Sequence, residues 1–338
     1  MSHPARLSLR APPHLPFVQG FPGIPADLSQ QRETPSVQGT LEVRIGSIPV
    51  KAKWVRVELR KFESLPPGFP SQATEETWEL VGSIQTLWQP KDGKEWDTIH
   101  TADFKFILPL PLSLPPSIDL PKGAGVRYEL VAALCYRHKG GVFKRESAPI
   151  IKVTEPIRIT KHDLHSAWPI YNSPEKRTIK AANDQMELTV SRPCTAFSAG
   201  DKVRISTSLK SSRPKPFTLR GFEYTLSEVI TYIPLPPGPS NKSKKHKIST
   251  APVTKARPIQ TVRAPLNENI MSGGTKSATI EMEVGNVLVT VKGAKTLEVE
   301  YDLEVKAIME GVAEKVEMRG IRSVVGLFSR DHAQRAVK

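Results

Sequence analysis

Residues 104–137 read FKFILPLPLSLPPSIDLPKGAGVRYELVAALCYR, and five prolines fall between Leu108 and Lys122. Each proline removes a backbone donor and holds its predecessor in extended geometry, so no helix can run through this stretch. Phe104, Phe106 and Leu108 alternate on one side before it, and Val126, Tyr128 and Leu130 alternate after it. Alternation with period two is the mark of a half-buried strand. The expected local structure is a strand, a stiff loop and a second strand. The prolines are read as shaping the turn rather than as a ligand for SH3 or WW domains, because the flanking residues are patterned for burial.

The same grammar recurs along the 338 residues. A proline count of 31 is nearly twice the ordinary share of about 5%, and helix-period patterns are scarce, which favours many strands joined by rigid turns. Strands are predicted over 39–45, 54–62, 78–88, 99–108, 126–137 and 148–153, then over 185–191, 202–209, 217–232, 278–284, 287–291 and 297–309. In the last, Leu297, Val299, Tyr301, Leu303 and Val305 alternate with Glu298, Glu300, Asp302, Glu304 and Lys306. Residues 1–36, with Phe17 and Phe21 as isolated anchors, read as a loosely attached edge segment. The polar stretch 160–180 reads as a linker, and 241–263 as a basic loop poor in order-promoting residues. The fold class is therefore all-β, in two tandem antiparallel β-sandwiches of immunoglobulin-like kind, divided as 1–158 and 159–338.

Cys135 and Cys194 are the only cysteines and have no CxxC spacing, which fits a reduced, intracellular protein. Pro4, Pro12, Pro13 and Pro16 interrupt any signal-peptide core, and the most apolar run, 106–120, is broken by prolines before it could span a bilayer. A cytoplasmic protein, peripherally associated with the plasma membrane or endosomes, is expected. The net charge is +14. Between Lys202 and Arg263 there are 13 lysines or arginines against two acids, Glu223 and Glu228. Within that span, Lys242, Lys244, Lys245 and Lys247 are candidate contacts for phosphate groups or acidic phospholipids. The competing reading is a solvated loop whose lysines only keep it soluble. Nucleic acid is not expected, since no aromatic residue in 241–263 could stack a base.

Catalytic signatures are weak. The nearest approach to GxSxG ends at Ser198 and Gly200, lacks the first glycine and precedes a strand instead of entering a helix. Gly273 and Gly274 lack the phosphate-loop order of glycine before lysine, and Gly123 with Gly125 reads as a turn requiring positive φ. His162 and His165 have no converging partners and read as polar linker residues. No catalytic residue, metal ligand or cofactor site is assigned, and a non-enzymatic role is expected.

Several of these pieces, in this order, resemble the arrestin family. The strand at 39–45, that at 55–62, the block 104–117 and the strand 128–136 resemble its N-domain. Met186 to Val190, the run from Phe197 to Gly200, residues 203–209 and residues 297–305 resemble its C-domain. The proline-rich style is most similar to fungal α-arrestins, the arrestin-related trafficking adaptors. The resemblance implies an adaptor that binds cytosolic tails of plasma-membrane proteins and recruits a HECT-type ubiquitin ligase, leading to endocytosis. That family recruits its ligase through a Pro-Pro-x-Tyr motif, and this sequence has none: Trp168, Pro169, Ile170, Tyr171 carries one proline, and Leu235 to Pro239 carries no tyrosine. Two alternatives stand beside this expectation. One is an arrestin-fold subunit of a retromer-like or tethering complex, and the other is a carbohydrate-binding sandwich or enzyme.

Overall fold

A computed structural model of the chain describes residues 4–13, 15–19, 35–68, 76–111, 113–138, 147–160, 174–181, 184–194, 196–198, 200–234, 251–285, 288–310 and 326–328. Among them there is no α-helix; the only helical turn is a 3-10 turn at Pro121–Gly123. The first ten strands are β1 (Ala5–Arg10), β2 (Val18–Gln19), β3 (Ser36–Ile45), β4 (Val50–Ser64), β5 (Glu76–Trp88), β6 (Asp97–Ile99), β7 (Ala102–Pro109), β8 (Ile118–Asp119), β9 (Gly125–Tyr136) and β10 (Ile150–Ile157). They form two sheets. In one, β3 lies between β7 and the pair β1 and β2; the other has the order β10-β9-β4-β5, with β6 on β4 and β8 on β9. Every ladder in both is antiparallel.

The remaining strands are β11 (Glu175–Ala181), β12 (Met186–Arg192), β13 (Ala196–Ser198), β14 (Lys202–Ser211), β15 (Phe217–Tyr232), β16 (Val253–Ile270), β17 (Thr275–Glu283), β18 (Leu297–Glu310) and β19 (Gly326–Phe328). They make an antiparallel sheet of order β11-β12-β14-β17, a second of order β16-β15-β18, and a short parallel pair of β13 with β19. No described strand ending by Ile157 pairs with one starting at Glu175 or later. Pairing thus falls into two families, each with two antiparallel sheets.

Alternation decides what is buried. Val55, Val57 and Leu59 of β4 are fully buried, as are Leu41 and Val43 of β3, and they share one hydrophobic cluster with Phe106, Leu108, Tyr128 and Leu130. The side-chain oxygen of Gln85 on β5 accepts from the Ile107 amide on β7 at 3.2 Å, joining the edges of the first two sheets. In the second family Tyr224 of β15 and Thr207 of β14, both buried, come from opposite sheets, and burial pushes the Tyr224 phenol up.

The 104–137 block forms β7, the turn and β9, and the turn is tied in place. Tyr128 donates its hydroxyl proton to the Pro115 carbonyl at 2.5 Å, and the Ser117 amide donates to the Ile159 carbonyl at 2.8 Å. Gly125, where β9 begins, has a φ of 156°, and a Cβ there would lie 2.2 Å from the Ile118 carbonyl oxygen. Only glycine fits that approach.

Several expectations are corrected. The span 99–108 is two strands, β6 and β7. Of the N-terminal segment, residues 5–10 form the edge strand β1, which pairs residue for residue with β3 and buries Ala5 and Leu7, while residues 20–34, with Phe21, lie outside the described residues. The linker expected over 160–180 ends in β11, a fully paired strand whose polar sequence hides it. The basic stretch 241–263 passes into β16, an 18-residue strand. Its Pro258 and Pro265 are tolerated because β16 pairs on one side only, as proline at a sheet edge can. Pro156 sits inside edge strand β10 for the same reason. Of the strand expected over 287–291, the described residues 288–291 form only a single bridge, between Val291 and Val299.

Candidate functional site

On β4 the core-facing row Val55, Val57, Leu59 continues in phase to Lys61 and Glu63. Both charged residues are buried, with side-chain exposures of 4% and 2%. A buried charge is tolerated only when paired and hydrogen-bonded. Lys61 Nζ lies 2.6 Å from Glu63 Oε1 and also pairs with Glu79 of β5. Glu63 Oε2 accepts from the amides of Lys295 and Thr296, each at 2.8 Å, and from the Thr296 hydroxyl at 2.9 Å. The Lys295 ammonium returns to Glu79. Residues 295 and 296 lead directly into β18, so a carboxylate from the first strand family holds a loop of the second.

The cluster is electrically balanced, with two lysines against two carboxylates. Burial works against the charge of Lys61, but its hydrogen bonds to Glu63 and Glu79 outweigh that and raise its pKa. Burial also works against Glu79, yet hydrogen bonds from Lys295 and Lys61 hold it below the ordinary carboxylate value. Burial, and then the nearby Glu63 and Glu79, push the Tyr128 phenol well up. An open cleft of about 240 Å³ adjoins the cluster, lined by Lys61, Glu63, Thr77, Trp78, Glu79 and Lys295. A depressed carboxylate is a poor general base, and both Glu63 oxygens are already engaged. What this arrangement does is clamp.

A second buried carboxylate, Glu228, occupies a core-facing position of β15 at 5% exposure. Arg257 of β16 donates to it at 2.8 Å. Burial and this carboxylate raise the phenol of Tyr301, its cross-strand neighbour on β18. Glu228 therefore ties the edge strand β16 to β15.

Lys242, Lys244, Lys245 and Lys247 lie outside the described residues, as do His162, His165, residues 168–171 and residues 235–239. The basic excess counted between Lys202 and Arg263 is partly neutralised where the chain is described. Arg220 pairs with Glu310, Arg257 with Glu228 and Arg263 with Glu223. Glu310 comes from a strand that a count along the sequence does not reach. Ser198 lies in strand β13, without the strand-to-helix elbow a nucleophilic serine requires. Gly273 takes a φ of 78° in the turn between β16 and β17, where the Gly274 amide donates to the Met271 carbonyl at 2.9 Å. Among the described residues no three His, Cys, Asp or Glu side chains converge in a way that could hold a metal ion. No described helix is long and apolar enough to cross a membrane.

The Lys61–Glu63 pair was missed because the strand expected over 54–62 ends before Glu63; its signal is that charges stand where the β4 alternation calls for apolar residues. Lys295 and Thr296, more than 230 positions away in a loop, carry no local signal. No protein-family model matches the chain, and no curated protein matches it.

Proposed function

We propose that the chain is a non-enzymatic, arrestin-like adaptor that binds cytosolic tails of plasma-membrane proteins and promotes their ubiquitin-dependent endocytosis and trafficking. The observation that carries this reading is the strand pairing. Two consecutive families of antiparallel sheets follow the order in which the N-domain and C-domain resemblances run along the sequence. The clasp formed by Glu63 supports it, because a scaffold that presents two strand families to one partner needs them held in a defined relation. Long exposed strands suit it too, since the free edge of a sheet can take up an extended peptide. In this reading Lys242, Lys244, Lys245 and Lys247 add attraction to phosphates or acidic lipid headgroups, each worth about 1 kcal/mol near an anionic surface. The given sequence holds no Pro-Pro-x-Tyr motif, and in this reading a HECT-type ligase is engaged through another adaptor or a different interface.

Crosslinking affinity purification from the native cell tests this. The expected result is recovery of membrane transporters or receptors, with a ubiquitin ligase present in sub-stoichiometric amount. Stable stoichiometric partners would instead point to a complex subunit. Reversing the four lysines to glutamate is expected to weaken binding to anionic liposomes and phosphopeptides. Unchanged binding would remove the basic loop from the adaptor role.

A further inference from the structure

The outward face of the sheet built on β4 and β9 carries two cations that its own acids do not neutralise. Lys152 of β10 stands opposite Ala133 of β9, and Ala133 stands opposite Arg56 of β4. Directly opposed residues leave a sheet on the same face, and two inter-strand steps put the α-carbons of Arg56 and Lys152 about 10 Å apart. Ala133 is short, so the two long side chains can converge above its methyl group. The neighbouring row is apolar: Trp54 stands opposite Cys135, and Cys135 opposite Ile150, which is 47% exposed.

Arg56 is held ready. Its guanidinium stacks on Trp54, 4.6 Å from the ring centroid, which directs the side chain without cancelling its charge. Arg56 Nε is buried and has no hydrogen-bond partner. The other arginines on this face are occupied: Arg60 by Glu58 at 2.6 Å, and Arg127 by Glu129 and Glu76, both at 2.6 Å. Neither Arg56 nor Lys152 has an acidic partner among the described residues.

We propose that this row is a docking site for an extended peptide bearing a carboxylate. One acidic side chain bridges Arg56 and Lys152 above Ala133, and an aliphatic residue two positions along covers Ile150 and Trp54. The spacing follows from the strand repeat, because residues two apart on the peptide meet successive rows of the sheet. A guanidinium beside an ammonium suits a carboxylate, which Arg can hold through two donors. An anionic membrane surface fits less well, since a plane laid on this face would also meet Glu58 and Glu129. The proposal rests on the reading of the chain as a binding scaffold rather than a catalyst.

The test is fluorescence anisotropy with the full chain and a labelled decapeptide in which glutamate and isoleucine take turns at every second position, separated by serine. Saturable binding is expected, weakened about tenfold when glutamine replaces glutamate. The exposed Lys152→Glu variant, which leaves the core untouched, is expected to lose about tenfold, and Arg56→Gln a similar factor. Equal binding by wild type and Lys152→Glu overturns the site, as does lysine-dependent binding only to phosphatidylserine vesicles. If the wild type captures membrane-protein tails but ignores the decapeptide, the site falls and the adaptor role stands. If it captures no tail and no decapeptide, both fall.

Discussion

Glu63 shows what one residue can decide. Its Oε1 takes an ammonium as an ion pair, and its Oε2 takes two backbone amides and a hydroxyl as hydrogen bonds. Replacing Glu63 by alanine leaves Lys61 with Glu79 as its one carboxylate and orphans the amides of Lys295 and Thr296. Losing one partner of a buried pair costs about 3–5 kcal/mol, and urea unfolding is expected to read a loss of that size. The double variant Lys61→Met, Glu63→Leu removes both charges and is expected to recover part of it. A double variant as unstable as Glu63→Ala would mean that the amide contacts, not the ion pair, carry the stability. The strand expected over 54–62 stops short of Glu63, so only Lys61 stands in it as a charge in phase with the buried row. What it could not announce was the partner, because a loop amide has no side-chain signature.

At the level of elements, the 104–137 block behaves as its spelling predicts: β7, a pinned turn, and β9 with Val126, Tyr128 and Leu130 buried. The pin is the hydrogen bond from Tyr128 to the Pro115 carbonyl. Tyr128→Phe keeps the ring but leaves that carbonyl without its donor, and is expected to cost about 1–3 kcal/mol by urea unfolding. A negligible change would show that the prolines alone set the turn. Other elements were hidden for identifiable reasons. Within β11 only Ile179 and Ala181 are apolar, so no alternating row was visible there. Strand β16 carries Pro258 and Pro265, which read as breakers until the strand is seen to lie at an edge. The strand expected over 287–291 had the right composition but lacks a neighbour beyond Val299.

Across the whole molecule, the joint between the two strand families is electrostatic and therefore responds to pH. Glu79 has a pKa lowered from its ordinary 4.5, so its contribution is complete above that value and is lost as pH falls through the lower folded value. Lys61 has a pKa raised from 10.5, so its contribution is complete below that value and fades as pH rises through the higher folded value. The stability difference between wild type and Glu79→Gln is expected to be flat from about pH 6 to pH 9 and to shrink below about pH 4, measured by urea midpoints. A difference that persists unchanged into acid would remove Glu79 from the joint. The all-β character was visible in the spacing of strands and turns, but the joint was not, since it depends on contacts that only the folded chain creates. Glu63 grips residues 295 and 296 mainly by their main-chain amides, and every amino acid except proline supplies an amide. A substitution at residue 295 therefore leaves the main-chain grip of Glu63 in place and removes the ammonium that faces Glu79, while Lys61 and Glu63 must change together or not at all.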